Sequence, residues 1–269
     1  MARPQLSLVE HYTLESGLAT EFRRVLHNLQ NIAKTRELKS VMITSSTLAE
    51  GKSTVSSFLA LTAARKGLRT LLIDGDLRRP SIHKLFALRR EGGLCEILID
   101  GALAKNVIKK TNLDKLDIIT SGKASAQPAE IFDAGAIGRL LGEMKFYYDL
   151  ILIDCAPVLP VSDPMLLAHE VDGVLFVVKA GATQREVVRR ASEILATGTN
   201  RVLGVILNNT DDSLPHYLSQ DYYGYEYPAK AHKDQPKAGR NTPPEGAKIP
   251  DNPPPARKAE PPQKNNQPR

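Results

Sequence analysis

Nine residues carry the first chemical signal: Ser46-Thr47-Leu48-Ala49-Glu50-Gly51-Lys52-Ser53-Thr54. They fit the pattern GxxxxGK[ST] with serine in place of the first glycine, after a β-branched run and before a helical stretch. Each type has a task. Gly51 lets backbone N–H groups approach phosphate oxygens, and the helix N-terminus adds partial positive charge. The Lys52 ammonium neutralises β/γ oxygens, and the Ser53 hydroxyl suits Mg²⁺. The implied ligand of the whole segment is ATP with Mg²⁺. A Gly-Lys-Ser turn capping an ordinary helix is the plain alternative, and the acids further along weigh against it.

Two later apolar runs end in acids. Leu71-Leu72-Ile73 is followed by Asp74-Gly75-Asp76. Acids at i and i+2 leave an extended chain on one side, so this pair can converge on one site. Beside a phosphate loop, such a carboxylate orders Mg²⁺ through water or accepts a proton. Leu150-Ile151-Leu152-Ile153 leads to Asp154, which suits Mg²⁺ or its water. The run Val205-Ile206-Leu207 ends at Asn208, whose amide both donates and accepts and so suits an adenine edge. An ordinary turn asparagine is the alternative there. Cys95 and Cys155 form no CxxC and have no histidine cluster beside them, which argues for a reducing compartment and against zinc or a disulfide framework. Cys155 reads as a small buried residue.

These positions need elements to hold them. Apolar residues at helical spacing over 18–34 predict a helix. Strands are expected at Val41–Thr44, Thr70–Ile73, Leu116–Thr120, Leu150–Ile153, Gly173–Val178 and Val202–Leu207. Helices are expected at Thr54–Lys66, Pro80–Phe86, Leu94–Ile99, Pro128–Met144, Asp163–His169 (capped by Asp163) and Thr183–Thr197. Short strands apolar on both faces and separated by helices mean an α/β fold. Its sheet is mostly parallel with helices on both faces, and ligands bind at the carboxyl ends of the strands.

Composition sets the boundaries: 1–16 as a lead-in, 17–210 as the nucleotide-binding domain, 211–227 as a tyrosine-rich segment and 228–269 as a tail. The tail holds 11 of the 18 prolines, and Ile249 is its only large aliphatic residue. It cannot bury enough apolar surface to offset chain entropy and is expected to be disordered. The formal charge of +6 is concentrated there: residues 228–269 carry 9 Lys/Arg and 4 Asp/Glu, leaving 27 basic and 26 acidic side chains elsewhere. No specific nucleic-acid partner is expected from so neutral a domain. The polar start and the absence of a long apolar run predict a cytoplasmic protein.

The segments SSTLAEGKST, LLIDGDLRRP and LILIDCAP resemble the Walker A, Walker A′ and Walker B motifs of the bacterial tyrosine kinases (BY-kinases) of capsule and exopolysaccharide synthesis. The resemblance runs from about Leu18 to Tyr227 and includes LRRPSIHKLF, QPAEIF and DGVLFVVKAGATQREVV. It implies a P-loop NTPase fold and tyrosine autophosphorylation. Lys52 and Ser53 would hold phosphate and Mg²⁺, Asp74 would be the base toward the tyrosine hydroxyl, and Asp76 and Asp154 would organise the metal. Family tails carry a tyrosine cluster, and here Tyr217, Tyr222, Tyr223, Tyr225 and Tyr227 are the implied phospho-acceptors. Assembly into a homo-oligomer uses an ExxRxxR helix, of which Glu21 and Arg24 are present and His27 replaces the last arginine. A membrane-anchored polysaccharide co-polymerase is the implied activator, holding the enzyme at the inner face of the membrane. A cognate tyrosine phosphatase is the implied antagonist.

Two other functions compete. Partitioning and positioning ATPases on the same fold resemble a loop with a second lysine one residue after the first glycine position. Thr47 occupies that place here. A non-enzymatic ATP switch would not need the full set of metal and base residues.

Overall fold

The structure is a computed structural model, and it describes residues 12, 16–123, 127–198 and 201–210. The tyrosine-rich segment and the basic tail lie outside the described residues. Seven strands form one sheet in the order β3-β4-β2-β5-β1-β6-β7. The central ones are β1 (Ser40–Ser45), β2 (Thr70–Asp74), β5 (Leu150–Asp154) and β6 (Gly173–Lys179), flanked by β4 (Leu116–Ile119) and β7 (Val202–Asn208). All of these pair in parallel. The edge strand β3 (Lys109–Lys110) runs antiparallel to β4 and has no counterpart among the expected elements.

Strand residues alternate between two cores, as a pleated sheet covered on both faces requires. Leu71, Ile73, Ile151 and Ile153 belong to one, and Leu72, Leu150 and Leu152 to the other. The second core is closed by α1 (Gly17–Ala33) and α2 (Lys52–Arg65). Helix α1 buries Phe22, Leu26 and Leu29 along one stripe, and Ser16 caps it by accepting from the Ala19 N–H at 3.1 Å. Helix α2 is buried over most of its circumference, which suits its small residues Ala60, Ala63 and Ala64. Tyr12 is also in this core. Its ring lies 5.4 Å from that of Phe58, and its hydroxyl bonds Thr62. The lead-in therefore contributes a core residue.

On the other face lie α4 (Leu94–Asp100), α7 (Ala134–Met144) and α9 (Arg185–Gly198). The short helices α3 (Ile82–Leu85), α5 (Ala104–Val107), α6 (Pro128–Ile131) and α8 (Asp163–Leu167) complete the described set. Two expectations need correction. The helix expected over Pro128–Met144 is broken, because Phe132 and Asp133 are extended and the Asp133 carboxylate accepts from the Ala136 N–H, starting a new helix. Asp163 does not cap α8: Ser162 occupies that place, and the Asp163 carboxylate pairs with Arg78 instead.

At the amino ends of the strands, the Asp172 carboxylate ties three segments together. It accepts from the Lys39 and Ser40 N–H groups at 2.9 Å and from the Lys145 ammonium at 2.6 Å. Burial pushes this carboxyl up, but these hydrogen bonds outweigh it and hold the group below the usual carboxylate range.

Candidate active site

The phosphate loop joins β1 to α2. Gly51 takes φ +90°, and a Cβ there would sit 2.1 Å from Asn208 Nδ2, so only glycine fits. Ala49 also lies in the left-handed region, at φ +62°. Ser46 is fully buried, and its hydroxyl has no hydrogen-bond partner. The side chains of Leu48 (43% exposed) and Thr54 face solvent.

The acids converge because of sheet register. Asp74 on β2 stands opposite Asp154 on β5. The chain then turns tightly, with the Gly75 N–H donating to the Asp154 carbonyl at 2.8 Å. Asp76 follows and receives the Lys52 ammonium at 2.9 Å and the Arg79 N–H at 2.9 Å. Asp74 accepts from the Ile82 N–H at 3.1 Å. Asp154 has the Ser56 hydroxyl 3.4 Å from its Oδ1. One oxygen each of Asp74 and Asp154 is buried without a hydrogen-bond partner.

Three buried carboxylates around one ammonium leave an excess of negative charge in a poorly solvated place. Burial, with Asp154 adding, pushes Asp74 well above the carboxylate range. Burial pushes Asp154 up to about 6, with Lys52 and Ser53 pulling it back. Lys52 loses solvation, but Asp154 and Asp76 more than compensate and keep it protonated. Burial also pushes the Cys155 thiol well up, which suits a packed residue rather than a thiolate.

This donor set fits Mg²⁺. Among the described residues no group of three or more His, Cys, Asp or Glu side chains could hold a metal. A phosphate-loop Mg²⁺ does not need one, since one or two protein oxygens, water and phosphate complete its shell. The orphaned Asp154 and Asp74 oxygens beside Ser53 are what such an ion would satisfy.

Asn208, at the end of β7, reaches the phosphate loop. Its Nδ2 donates to the Glu50 carbonyl at 2.9 Å, so this half of the amide braces the loop. Two long-range contacts have little local signal in the sequence. Arg78 donates to both Asp163 oxygens, at 3.1 and 3.4 Å, clamping the loop after β2 to the loop after β5. The Glu50 carboxylate accepts from the Thr47 N–H and from the Thr183 hydroxyl. No periodicity announces either; only the doubled arginine after the paired acids hinted at the first.

A family model described as an AAA domain matches residues 39–190. The chain is 34% identical over 224 residues to the tyrosine-protein kinase YwqD of Bacillus subtilis (strain 168), covering 83% of this chain and 92% of that protein. It is 33% identical over 204 residues to the tyrosine-protein kinase CpsD of Streptococcus agalactiae, covering 76% and 88%. The chain belongs to the bacterial tyrosine-kinase family. The kinase also matches 25% of the length of a larger protein, the succinoglycan biosynthesis transport protein ExoP of Rhizobium meliloti (strain 1021), at 34% identity over 199 residues and 73% of this chain. Among solved structures, it resembles the chimerical protein CapA2B2 with TM-score 0.69 and 30% identity, covering 74% of this chain and 88% of that one. The kinase domain of Escherichia coli ETK gives 0.66 and 32%, covering 70% and 73%. The septum site-determining protein MinD of Pyrococcus horikoshii OT3, in complex with Mg-ADP, gives 0.56 at 21% identity, covering 68% and 76%, and shares the fold.

Proposed function

We propose that this kinase transfers the γ-phosphoryl group of ATP to the tyrosine cluster Tyr217, Tyr222, Tyr223, Tyr225 and Tyr227 of another copy of itself. The observation that carries this reading is the meeting of Lys52, Asp74, Asp76 and Asp154 at adjoining strand ends beside the phosphate loop. Loop N–H groups and Lys52 hold the phosphates, and Lys52 exchanges its Asp76 partner for a phosphate oxygen. Asp74 accepts the proton of the tyrosine hydroxyl; its raised proton affinity makes it a stronger base than an exposed aspartate. Ser53, Asp154 and Asp76 hold Mg²⁺ directly or through water. When bound, Mg²⁺ neutralises charge building on the transferred group.

Each phosphotyrosine adds roughly −1.5 to −2, so five add about −8 to −10 to a short segment. That charge drives the segment from an acidic site and loosens contacts between copies. A cognate tyrosine phosphatase resets the state. The likeness to part of ExoP and to CapA2B2 supports a membrane-anchored polysaccharide co-polymerase as activator. It also supports a role in capsule or exopolysaccharide export from the cytoplasmic face of the membrane. The exposed Glu21–Arg24 pair on α1 supports assembly through that helix.

The test incubates the protein with Mg²⁺ and ATP, alone and with a co-polymerase cytoplasmic peptide, and probes for phosphotyrosine. Lys52→Met and Asp74→Asn are expected to lose the signal, as is the variant with all five tyrosines changed to phenylalanine. ATP turnover with no phosphotyrosine under any condition would overturn the proposal in favour of a positioning ATPase.

A further inference from the structure

Glu50 is a carboxylate inside a loop built for polyphosphate, an electrostatically adverse choice. It is 2% exposed. Its Oε2 accepts from the Thr47 N–H at 2.7 Å, within the loop. Its Oε1 accepts from the Thr183 hydroxyl at 2.5 Å and lies 3.5 Å from the Lys179 N–H. Its carbonyl accepts from Asn208 Nδ2 at 2.9 Å, and that same amide lies against Gly51. One residue thus ties the loop after β1 to the segment after β6 and to the end of β7. The carboxylate's partners are a hydroxyl and N–H groups, so the negative charge strengthens those bonds.

We infer that Glu50 is a positioning residue. It sets the shape of the phosphate loop before nucleotide arrives and couples that shape to Thr183 and Asn208, at the strand ends flanking the loop. The physical reason lies in Ala49 and Gly51, both left-handed. A loop with two such residues has many competing conformations, and ordering it at the moment of binding would weaken affinity. The bonds from the Glu50 carboxylate select one conformation in advance. Thr47 N–H is thereby committed to Glu50, which leaves the following loop amides for phosphate. The inference rests on the ATP-binding reading of this loop and is independent of what receives the phosphoryl group.

The sign of the effect tests it. If charge alone mattered, Glu50→Gln and Glu50→Ala would both bind nucleotide more tightly, because a negative group near the phosphates is removed. If Glu50 positions the loop, Glu50→Ala weakens a fluorescent ADP analogue about tenfold or more, as expected when a preorganised loop loses its brace. Glu50→Gln, able to accept from Thr47 and donate to Thr183, stays within about threefold of the parent. Thr183→Val weakens binding in the same direction, and the double variant Glu50→Ala/Thr183→Val shows less than the sum of the two effects. Hydrogen exchange of the nucleotide-free protein adds a readout without ligand: the amides of residues 47–51 exchange faster in Glu50→Ala, while those of β2 and β5 keep their protection. Tighter or unchanged binding by Glu50→Ala, strictly additive effects, or loss of protection across the whole sheet would overturn the inference. Lys52→Met is the control for the underlying reading: if it does not weaken the analogue, the ATP site itself is misassigned.

Discussion

Ala49 sits at φ +62°, where an L-residue with a Cβ is strained. Glycine removes the strain but adds freedom to the unfolded chain. Ala49→Gly is expected to raise stability by about 0.5–1 kcal/mol, or roughly 1–3 °C in Tm, measured by calorimetry. Asp154 makes a pH prediction. Its carboxyl is pushed up to about 6 from 3.8, so between those values the folded protein holds a proton that the unfolded chain has released. Raising the pH through that window favours unfolding, and above it the penalty is constant. Asp154→Asn lacks this term. The parent should therefore lose Tm relative to Asp154→Asn as the pH rises from 4 to 6.5; a constant gap across that window would contradict the assignment.

Two side-chain clamps hold elements together at opposite ends of the sheet. The Arg78–Asp163 pair joins the segment after β2, which carries Asp76, to the start of α8, which follows β5. Asp163 is only 4% exposed, so Arg78→Ala leaves it uncompensated, whereas Arg78 itself is about a third exposed and water softens the loss. A loss of about 1–3 kcal/mol is expected in urea unfolding. A fall in kcat larger than any change in KM should accompany it, because the segments it steadies follow directly on Asp74 and Asp154, the proposed base and metal-organising groups. The Asp172 knot lies at the amino ends. Asp172→Ala should cost about 1–3 kcal/mol, since several partly buried donors lose one acceptor together. Nucleotide affinity should stay unchanged at temperatures where the variant remains folded, which separates this clamp from the Arg78 one.

The whole molecule links ligand, proton and fold. On the proposed reading, Mg²⁺ with nucleotide would bind only the folded state and at 100 times Kd would stabilise it by about 2.7 kcal/mol. The proton of Asp154 would then compete with the metal, since burial raises this group. The Tm gain from Mg-ADP should therefore be larger at pH 7.5 than at pH 5.5. ADP with EDTA should show a smaller gain and a weaker pH dependence. None of the described helices is long and apolar enough to cross a membrane.

The order of strands and helices was legible because apolar runs bounded by glycine, proline and acids leave few alternatives. The pattern Leu71 to Asp76 announced both a buried strand and its functional end. The phosphate loop was legible because its chemistry is local: glycine, lysine and serine act from consecutive positions. What failed was also physical. The break at Asp133 depends on one side chain finding the Ala136 N–H, and helical periodicity continues through it. Asp163 looked like a cap because caps are short-range, but its partner lies 85 positions away.

By itself, then, the sequence determined the ligand class, the acids and the parallel sheet, since these follow from neighbours along the chain. The tertiary structure decided which acids meet. Asp74 and Asp154 face each other only because β2 and β5 are adjacent in a sheet whose order differs from the chain order. It also decided that Glu50 and Asn208 brace the loop, because β6 and β7 bring their ends to it. Long-range register is set by packing both faces of the sheet at once, and no local pattern encodes that.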